Sequence, residues 1–305
     1  MSSVFALLSA LLFAGNAVCV RLSLRGSTAA TAVMVSIVTN LSALWLLAAV
    51  GGSLPRVFSG AALVFLAAGL FAPALARLTY YESINLIGVA RAATISNTTP
   101  LFSAVLAVPI LGERLTWSLA VGTVLVVIGV ALTFRPQPGS PPDLPGTAGA
   151  PGPLAALGVR ARRTSTLGLL LALNTAVMAS VSFMLRKIGL RMLPDPNLAA
   201  ALTVTGSLVT LLPYLGARRR QQPIRADRNS LTYLIAGGVL STGGFLAYYL
   251  ALNLGDVVRV TPLSNTSPLF AILLLLVFRE VEALTTSTIT GALITVAGIL
   301  LVLAG

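Results

Sequence analysis

The chain has no histidine, one cysteine and eight acidic residues among 305. Without histidine there is no imidazole base, no imidazole proton relay and no zinc site of the His type. Cys19 alone rules out an intramolecular disulfide and leaves the redox compartment unreadable. Charged residues make up only 9% and aromatic residues 6%, whereas 56% are hydrophobic, with a mean hydropathy of +0.95. A soluble domain carries roughly 25% charged residues, so most of this surface is expected to face lipid, leaving no room for a sizeable soluble domain. No Gly-x-x-x-x-Gly-Lys phosphate loop is present, which argues against ATP-driven transport by this chain. The absence of a Gly-x-Ser-x-Gly elbow and of paired intramembrane aspartates argues against an intramembrane enzyme. No charged ring or filter repeat of a channel is visible. The residues point to no cofactor and no metal ion.

What is present is repetition. Tyr80-Tyr81 through Phe102 returns as Tyr248-Tyr249 through Phe270, with 12 of 23 positions identical at a constant offset of 168. The shared positions include Asn85/Asn253, Arg91/Arg259, Asn97/Asn265, Thr98/Thr266 and Pro100/Pro268. Both copies lie in long apolar runs. A duplicated membrane segment with amides and a proline in its middle points to a transporter built from two repeats.

A membrane helix needs about 20 apolar residues to cross the hydrocarbon layer. By that rule the chain is expected to form an all-α membrane protein of ten spans: 3–20, 29–50, 60–81, 88–110, 116–134, 166–185, 197–215, 231–250, 257–278 and 285–304. The first of these lacks the basic leader of a signal peptide and reads as a membrane helix. Residues 136–164 hold seven of the 17 prolines and the cluster Arg160, Arg162 and Arg163, and read as a linker. It separates a five-helix repeat at 1–135 from a second at 165–305. Because five is odd, homologous halves joined outside the membrane enter it in opposite directions. The result is an inverted repeat suited to alternating access, with substrate near the midplane.

The net charge of +12 invites a nucleic-acid reading, but the cations are spread over short loops, as orientation in a membrane requires. The expected partners are the lipid bilayer and a small-molecule substrate, with no nucleic acid, and the chain is expected to act as a monomer. Loops after odd-numbered spans carry 14 of the 20 Lys and Arg residues, counting Arg77 and Arg91; the other side carries six, among them Arg186, Lys187 and Arg191. Positive-inside bias then puts the linker in the cytoplasm and both termini outside.

Candidate substrate-binding residues cluster on the repeat. Prolines 100 and 268 each remove a backbone donor and bend their helix, and the freed carbonyls need partners in protein or in a wet cavity. Asn97, Thr98, Asn265 and Thr266 are placed to bind substrate or to brace the kink. Arg91 and Arg259 lie two turns earlier on nearly the same helix face. They are placed to collect a carboxylate or phosphate, or to snorkel to headgroups. Arg77 and Asn16 are further candidates, with Asn40 and Asn174 as helix–helix glue. Tyr81 and Tyr249 are candidate cavity walls from tyrosine pairs that otherwise read as interfacial anchors. Glu113 and Glu280 read as charges at helix N-termini. Gly122, Gly129, Gly291 and Gly298, spaced by seven, read as close-packing sites. No carboxylate falls in the middle of any span, which tilts the substrate away from hydrophobic cations.

The run of span 3, span 4 with its central proline, Gly112-Glu113-Arg114-Leu115-Thr116 and a Gly-spaced span 5 resembles the EamA-type module of the drug/metabolite transporter superfamily. The second copy, with Arg279-Glu280-Val281-Glu282 and the Gly291/Gly298 span, is similar, although Arg279 stands where the first has Gly112. The resemblance implies a ten-helix carrier of two inverted five-helix repeats, a cavity lined by spans 3, 4, 8 and 9, and export or exchange of small metabolites such as amino acids. It also implies both termini in the cytoplasm, against the charge count. Small multidrug relatives use a carboxylate in their first helix, which this chain lacks. The leading function is a secondary-active permease or exporter of a small polar metabolite or organic anion in the bacterial inner membrane. A lipophilic-cation exporter and a lipid-linked substrate flippase on the same scaffold remain the alternatives.

Overall fold

Apolar runs of this length become helices because lipid offers the backbone no hydrogen-bond partners, and a helix satisfies its own. The computed structural model describes residues 1–23, 26–27, 29–87, 89–133, 164–218, 225–277 and 286–305. Among them there is no strand, only the isolated bridge between Ser27 and Ala226. The helices are α1 (Ser2–Ser23), α2 (Ala29–Val50), α3 (Gly60–Gly69), α4 (Ala76–Ile87), α5 (Val89–Ser96), α6 (Thr99–Leu111), α7 (Trp117–Thr133), α8 (Thr164–Met192), α9 (Pro196–Arg218), α10 (Arg228–Leu254), α11 (Val257–Ser264), α12 (Ser267–Val277) and α13 (Thr286–Ala304). Among the described residues, seven helical segments are long and apolar enough to cross a membrane. Three shorter apolar helices cover Met34–Val50, Trp117–Leu132 and Pro196–Val209. The linker from 136 to 163 lies outside the described residues, as do Arg219, Arg220, Arg279 and Glu280.

Packing follows small residues. α1 lies along α10, and α8 lies along α3 and α4. α2 meets α10 and α9, α9 meets α3, and α7 pairs with α13. α1 also touches α11 and α12, whereas α8 touches α5 and α6. The expected glycine contacts are tight. A methyl group on Gly298 would lie 2.7 Å from the Val126 nitrogen, and one on Gly122 would lie 2.9 Å from the Gly298 oxygen. Gly69 and Gly206 bring α3 and α9 together in the same way, against the backbones of Thr203 and Leu66. Large apolar side chains such as Val4, Leu63 and Leu293 point outward, as a lipid-facing surface requires. Trp117, 84% exposed, opens α7, and Phe58, 95% exposed, stands two residues ahead of α3, where aromatic rings anchor at the interface.

The two ends of the bundle differ. Where α6, α8 and α10 finish, Ala48, Ala61, Leu111, Leu190, Leu198, Leu252 and Val257 belong to one buried apolar cluster. Polar ties cross it. Lys187 Nζ donates to the carbonyls of Leu252 and Gly255 at 2.7 and 2.6 Å, and Arg191 Nη2 to that of Leu111 at 3.0 Å. Asp195 accepts from Ser53 Oγ at 2.5 Å and from Arg56 Nη1 at 3.3 Å. At the opposite end Asp227 caps α10 by accepting from the Ser230 N–H at 2.8 Å, and its carboxyl is held below its usual pKa by those hydrogen bonds from Ser230.

Candidate functional site

The repeated Ser-Asn-Thr motif builds two matching breaks. α5 gives way to α6 at Asn97-Thr98, and α11 to α12 at Asn265-Thr266. In the first, Thr98 N–H donates to Ile95 O at 3.0 Å, and Leu101 N–H to Thr98 O at 2.9 Å. In the second, Thr266 N–H donates to Leu263 O at 3.2 Å, and Leu269 N–H to Thr266 O at 2.9 Å. Each threonine hydroxyl bonds the carbonyl three residues back, at 2.6 Å in both copies. Thr98 and Thr266 therefore brace the breaks, a local use of a hydroxyl that competes with ligand binding. Pro100 is buried at the first turn of α6, where its missing N–H costs least.

A third break has no copy. Between α3 and α4 the segment Leu70–Leu75 forms a wide turn in which Ala72 is extended (φ −147°, ψ 133°) ahead of Pro73. Extended backbone at this depth leaves carbonyls without helical partners. Ser182 Oγ of α8 donates to Ala68 O at 2.8 Å and to Ala72 O at 3.0 Å. One turn on, Arg186 Nη2 donates to the same Ala72 oxygen at 2.7 Å.

Three adjoining chambers meet at Pro73. The first, about 260 Å³, holds Asn16, Asn40 and Arg77 and extends to Val20 and Ala32. The second, about 470 Å³, holds Arg77, Tyr80, Ser96, Asn97, Thr175 and Pro268. The third, about 250 Å³, holds Phe183, Arg186, Tyr248, Thr261, Ser264 and Asn265. Of the candidate residues, the fold brings Asn16, Arg77, Asn97, Asn265 and Pro268 to these chambers. Arg77 has no hydrogen-bond or ion-pair partner among the described residues.

The other candidates stand elsewhere. Arg91 is exposed and Arg259 half-buried, and neither borders the three chambers. Each sits within the first turn of its helix, where snorkelling is the natural use of a long cation. Tyr249 is fully buried against Phe65 and shares a hydrogen bond with Thr203. Tyr80 and Tyr248, the first tyrosine of each pair, border the chambers; Tyr248 and Tyr249 part ways because neighbours on a helix point about 100° apart. The side chain of Tyr81 lies outside the described residues.

Two cations counted as loop charges belong to the interior. Arg186 and Lys187 are 4% and 8% exposed because α8 runs on to Met192, past the apolar stretch ending at Leu185. Glu113 is also buried, yet it does not cap its own following helix. Its carboxylate accepts from the N–H groups of Val257 and Val258, each at 2.9 Å, and so holds the start of α11 in the other half. Burial pushes the Glu113 carboxyl up in pKa, against the pull of those two hydrogen bonds. Glu82 is buried in α4, nearer the interior than the span edges implied, with Oε1 lacking a partner.

Polar side chains that face a shared cavity inside a bundle of apolar helices are the material of a carrier. The EamA-like transporter family matches the chain over residues 1–135 and 166–304. The chain belongs to the EamA-like transporter family. This EamA-like protein is accordingly an integral, multi-pass membrane protein of a transporter family within the drug/metabolite transporter superfamily. A solved crystal structure of a protein has a like fold, with a TM-score of 0.75 at 17% identity over 98% of this chain and 95% of that one. Comparison with curated proteins gives no match.

Proposed function

We propose that this EamA-like protein is a secondary-active permease that carries a small polar metabolite, such as an amino acid or organic anion, by alternating access. The observation that carries this reading is the set of chambers at Pro73, whose polar walls come from both halves: Asn16, Arg77 and Asn97 from one, Arg186 and Asn265 from the other. We take the chain as ten spans in two inverted repeats, 1–135 and 165–305, acting as a monomer in a bacterial inner membrane and performing no covalent chemistry. Exchanging α1 with α8, α2 with α9, the α3–α4 pair with α10, the α5–α6 pair with α11–α12 and α7 with α13 carries the most extensive helix contacts onto one another, which supports that division. The packed, tied end and the chamber reaching Val20 and Ala32 at the other support a carrier caught open to one side.

The described chamber walls contain no carboxylate, which favours this reading over a lipophilic-cation exporter. The test is uptake and counterflow in proteoliposomes, with labelled amino acids, organic acids and lipophilic cations. A saturable signal with a polar solute is expected. Asn97→Ala and Asn265→Ala should each weaken it while the purified protein still elutes as a folded monomer. Saturable transport of lipophilic cations alone, or transport indifferent to both substitutions, overturns the proposal.

A further inference from the structure

Eight buried polar side-chain atoms lack a partner among the described residues, and five of them border one chamber. They are Arg186 Nε, Tyr248 OH, Thr261 Oγ1, Ser264 Oγ and Asn265 Nδ2. The Tyr248 and Thr261 hydroxyls are close enough to bond each other, which leaves one of their two hydrogens free; the other three come from separate positions on α8 and α11 and from the break after α11. Buried polar groups are nearly always satisfied, and a cluster of exceptions needs a reason. Every one of these five groups has a hydrogen to donate.

Arg186 is the centre of the cluster. It is 4% exposed, and among the described residues no acidic group pairs with it. Its guanidinium lies 5.4 Å from the Phe183 ring centre, 5.7 Å from Tyr248 and 5.6 Å from Tyr249. Three ring faces hold the fork in place by cation–π attraction but do not neutralise it. The bond to Ala72 is not a sufficient reason for a cation here, because Ser182 already donates to that oxygen.

Resting on the carrier reading above, we propose that this chamber is a carboxylate site with Arg186 as its anchor, so that the transported class is organic monocarboxylates. One fixed cation surrounded by neutral donors balances one negative charge, whereas a phosphate dianion would leave charge uncompensated in a low-dielectric site. The guanidinium fork matches the two oxygens of a carboxylate. Asn265 and Ser264 supply further donors from the end of α11 and the break after it. The rings of Phe13, Phe183 and Phe245 complete a largely apolar chamber that suits a hydrocarbon tail behind the carboxylate.

The full-length protein in detergent provides the test, because a bound ligand raises the apparent melting temperature by mass action. The probes are phenylacetate and isovalerate, each beside its neutral amide, and inorganic phosphate. At least one acid should raise the melting temperature in a concentration-dependent way, with its amide inert at equal concentration. The apparent Kd should weaken about tenfold or more in Arg186→Gln, as loss of a charge-assisted bidentate pair implies, and severalfold in Asn265→Ala and Ser264→Ala. The latter two variants leave the Ala72 contact intact and decide the matter if Arg186→Gln fails to fold. Equal responses to acid and amide, a response surviving Arg186→Gln, a response to phosphate alone, or no response at all overturns the carboxylate site. Uptake in proteoliposomes separates the two proposals. Transport of a neutral solute without carboxylate binding removes this site and leaves the carrier, whereas carboxylate binding without transport of any solute does the reverse.

Discussion

Pro73 and Ser241 stand 168 residues apart, at equivalent points of the repeat, and their surroundings differ in kind. At Pro73 the helix is interrupted, and the carbonyls of Ala68 and Ala72 are served by Ser182 and Arg186 of α8. At Ser241 the helix is continuous, and the neighbouring side chains are tied to α2 by neutral bonds. Asn40 Nδ2 donates to Ser241 Oγ at 3.2 Å, and Thr242 Oγ1 donates to Asn40 Oδ1 at 2.9 Å. Duplication alone would have given the cavity matching walls. The unmatched break supplies a carbonyl that a buried arginine can hold, and the chamber beside α8 thereby acquires a fixed charge that has no counterpart at Ser241.

The comparison is broken most directly at Arg186. Arg186→Ala removes a charged hydrogen bond at membrane depth and empties a three-ring contact. A loss of about 1.5–3 kcal/mol in apparent stability is expected, read as early aggregation on heating in size-exclusion chromatography. An unchanged profile would make the break self-sufficient. Next come positions where the halves remain alike. Gly129→Leu and Gly298→Leu each force a side chain into the α7–α13 contact, and each should cost about 1–3 kcal/mol by overpacking. Similar losses at the two sites are expected. A large loss at one and none at the other would show that the glycine pairs have diverged too. Gly60→Ala, whose added carbon meets nothing within 4 Å, is the neutral control.

Glu113→Ala sharpens the contrast between the ends of the bundle. It strips the carboxylate from the start of α11 and should cost about 1 kcal/mol, the usual scale of a lost helix cap. It should also raise maleimide labelling of a cysteine placed at Ser2 in a Cys19→Ser background, because Ser2 lies beside Gly255 at the tied end. Equal labelling with and without Glu113 would remove that residue from the closure. The smallest effect belongs to Asn40→Ala, about 0.6 kcal/mol, the average for a neutral interhelical hydrogen bond. A loss matching that of Arg186→Ala would erase the difference between the two midpoints.

How much of this was legible in the chain depended on whether the signal was local. The helices, the repeat, the paired Asn-Thr-Pro breaks and the glycine seam announce themselves within a few residues, since each is a matter of apolar length or backbone geometry. Asn97 and Asn265 were singled out on that basis, and both border the chambers at Pro73. Arg186 was missed because its meaning lies at Ala72, 114 residues earlier, and because an arginine just past an apolar stretch looks like a loop charge. That Tyr248 rather than Tyr249 borders the cavity depends on helix rotation, which two adjacent identical residues do not encode. The threonines beside Asn97 and Asn265 share the motif but spend their hydroxyls on their own backbone.

The carboxylate of Glu113 also bears on how the chain is made. Synthesis reaches this residue 144 positions before Val257, so the first half enters the bilayer carrying an anion whose two donors do not yet exist. The second half, in turn, receives the partner of the first two N–H groups of α11 from outside itself. Each half holds a part that only the other can complete, and the order of translation decides which one waits.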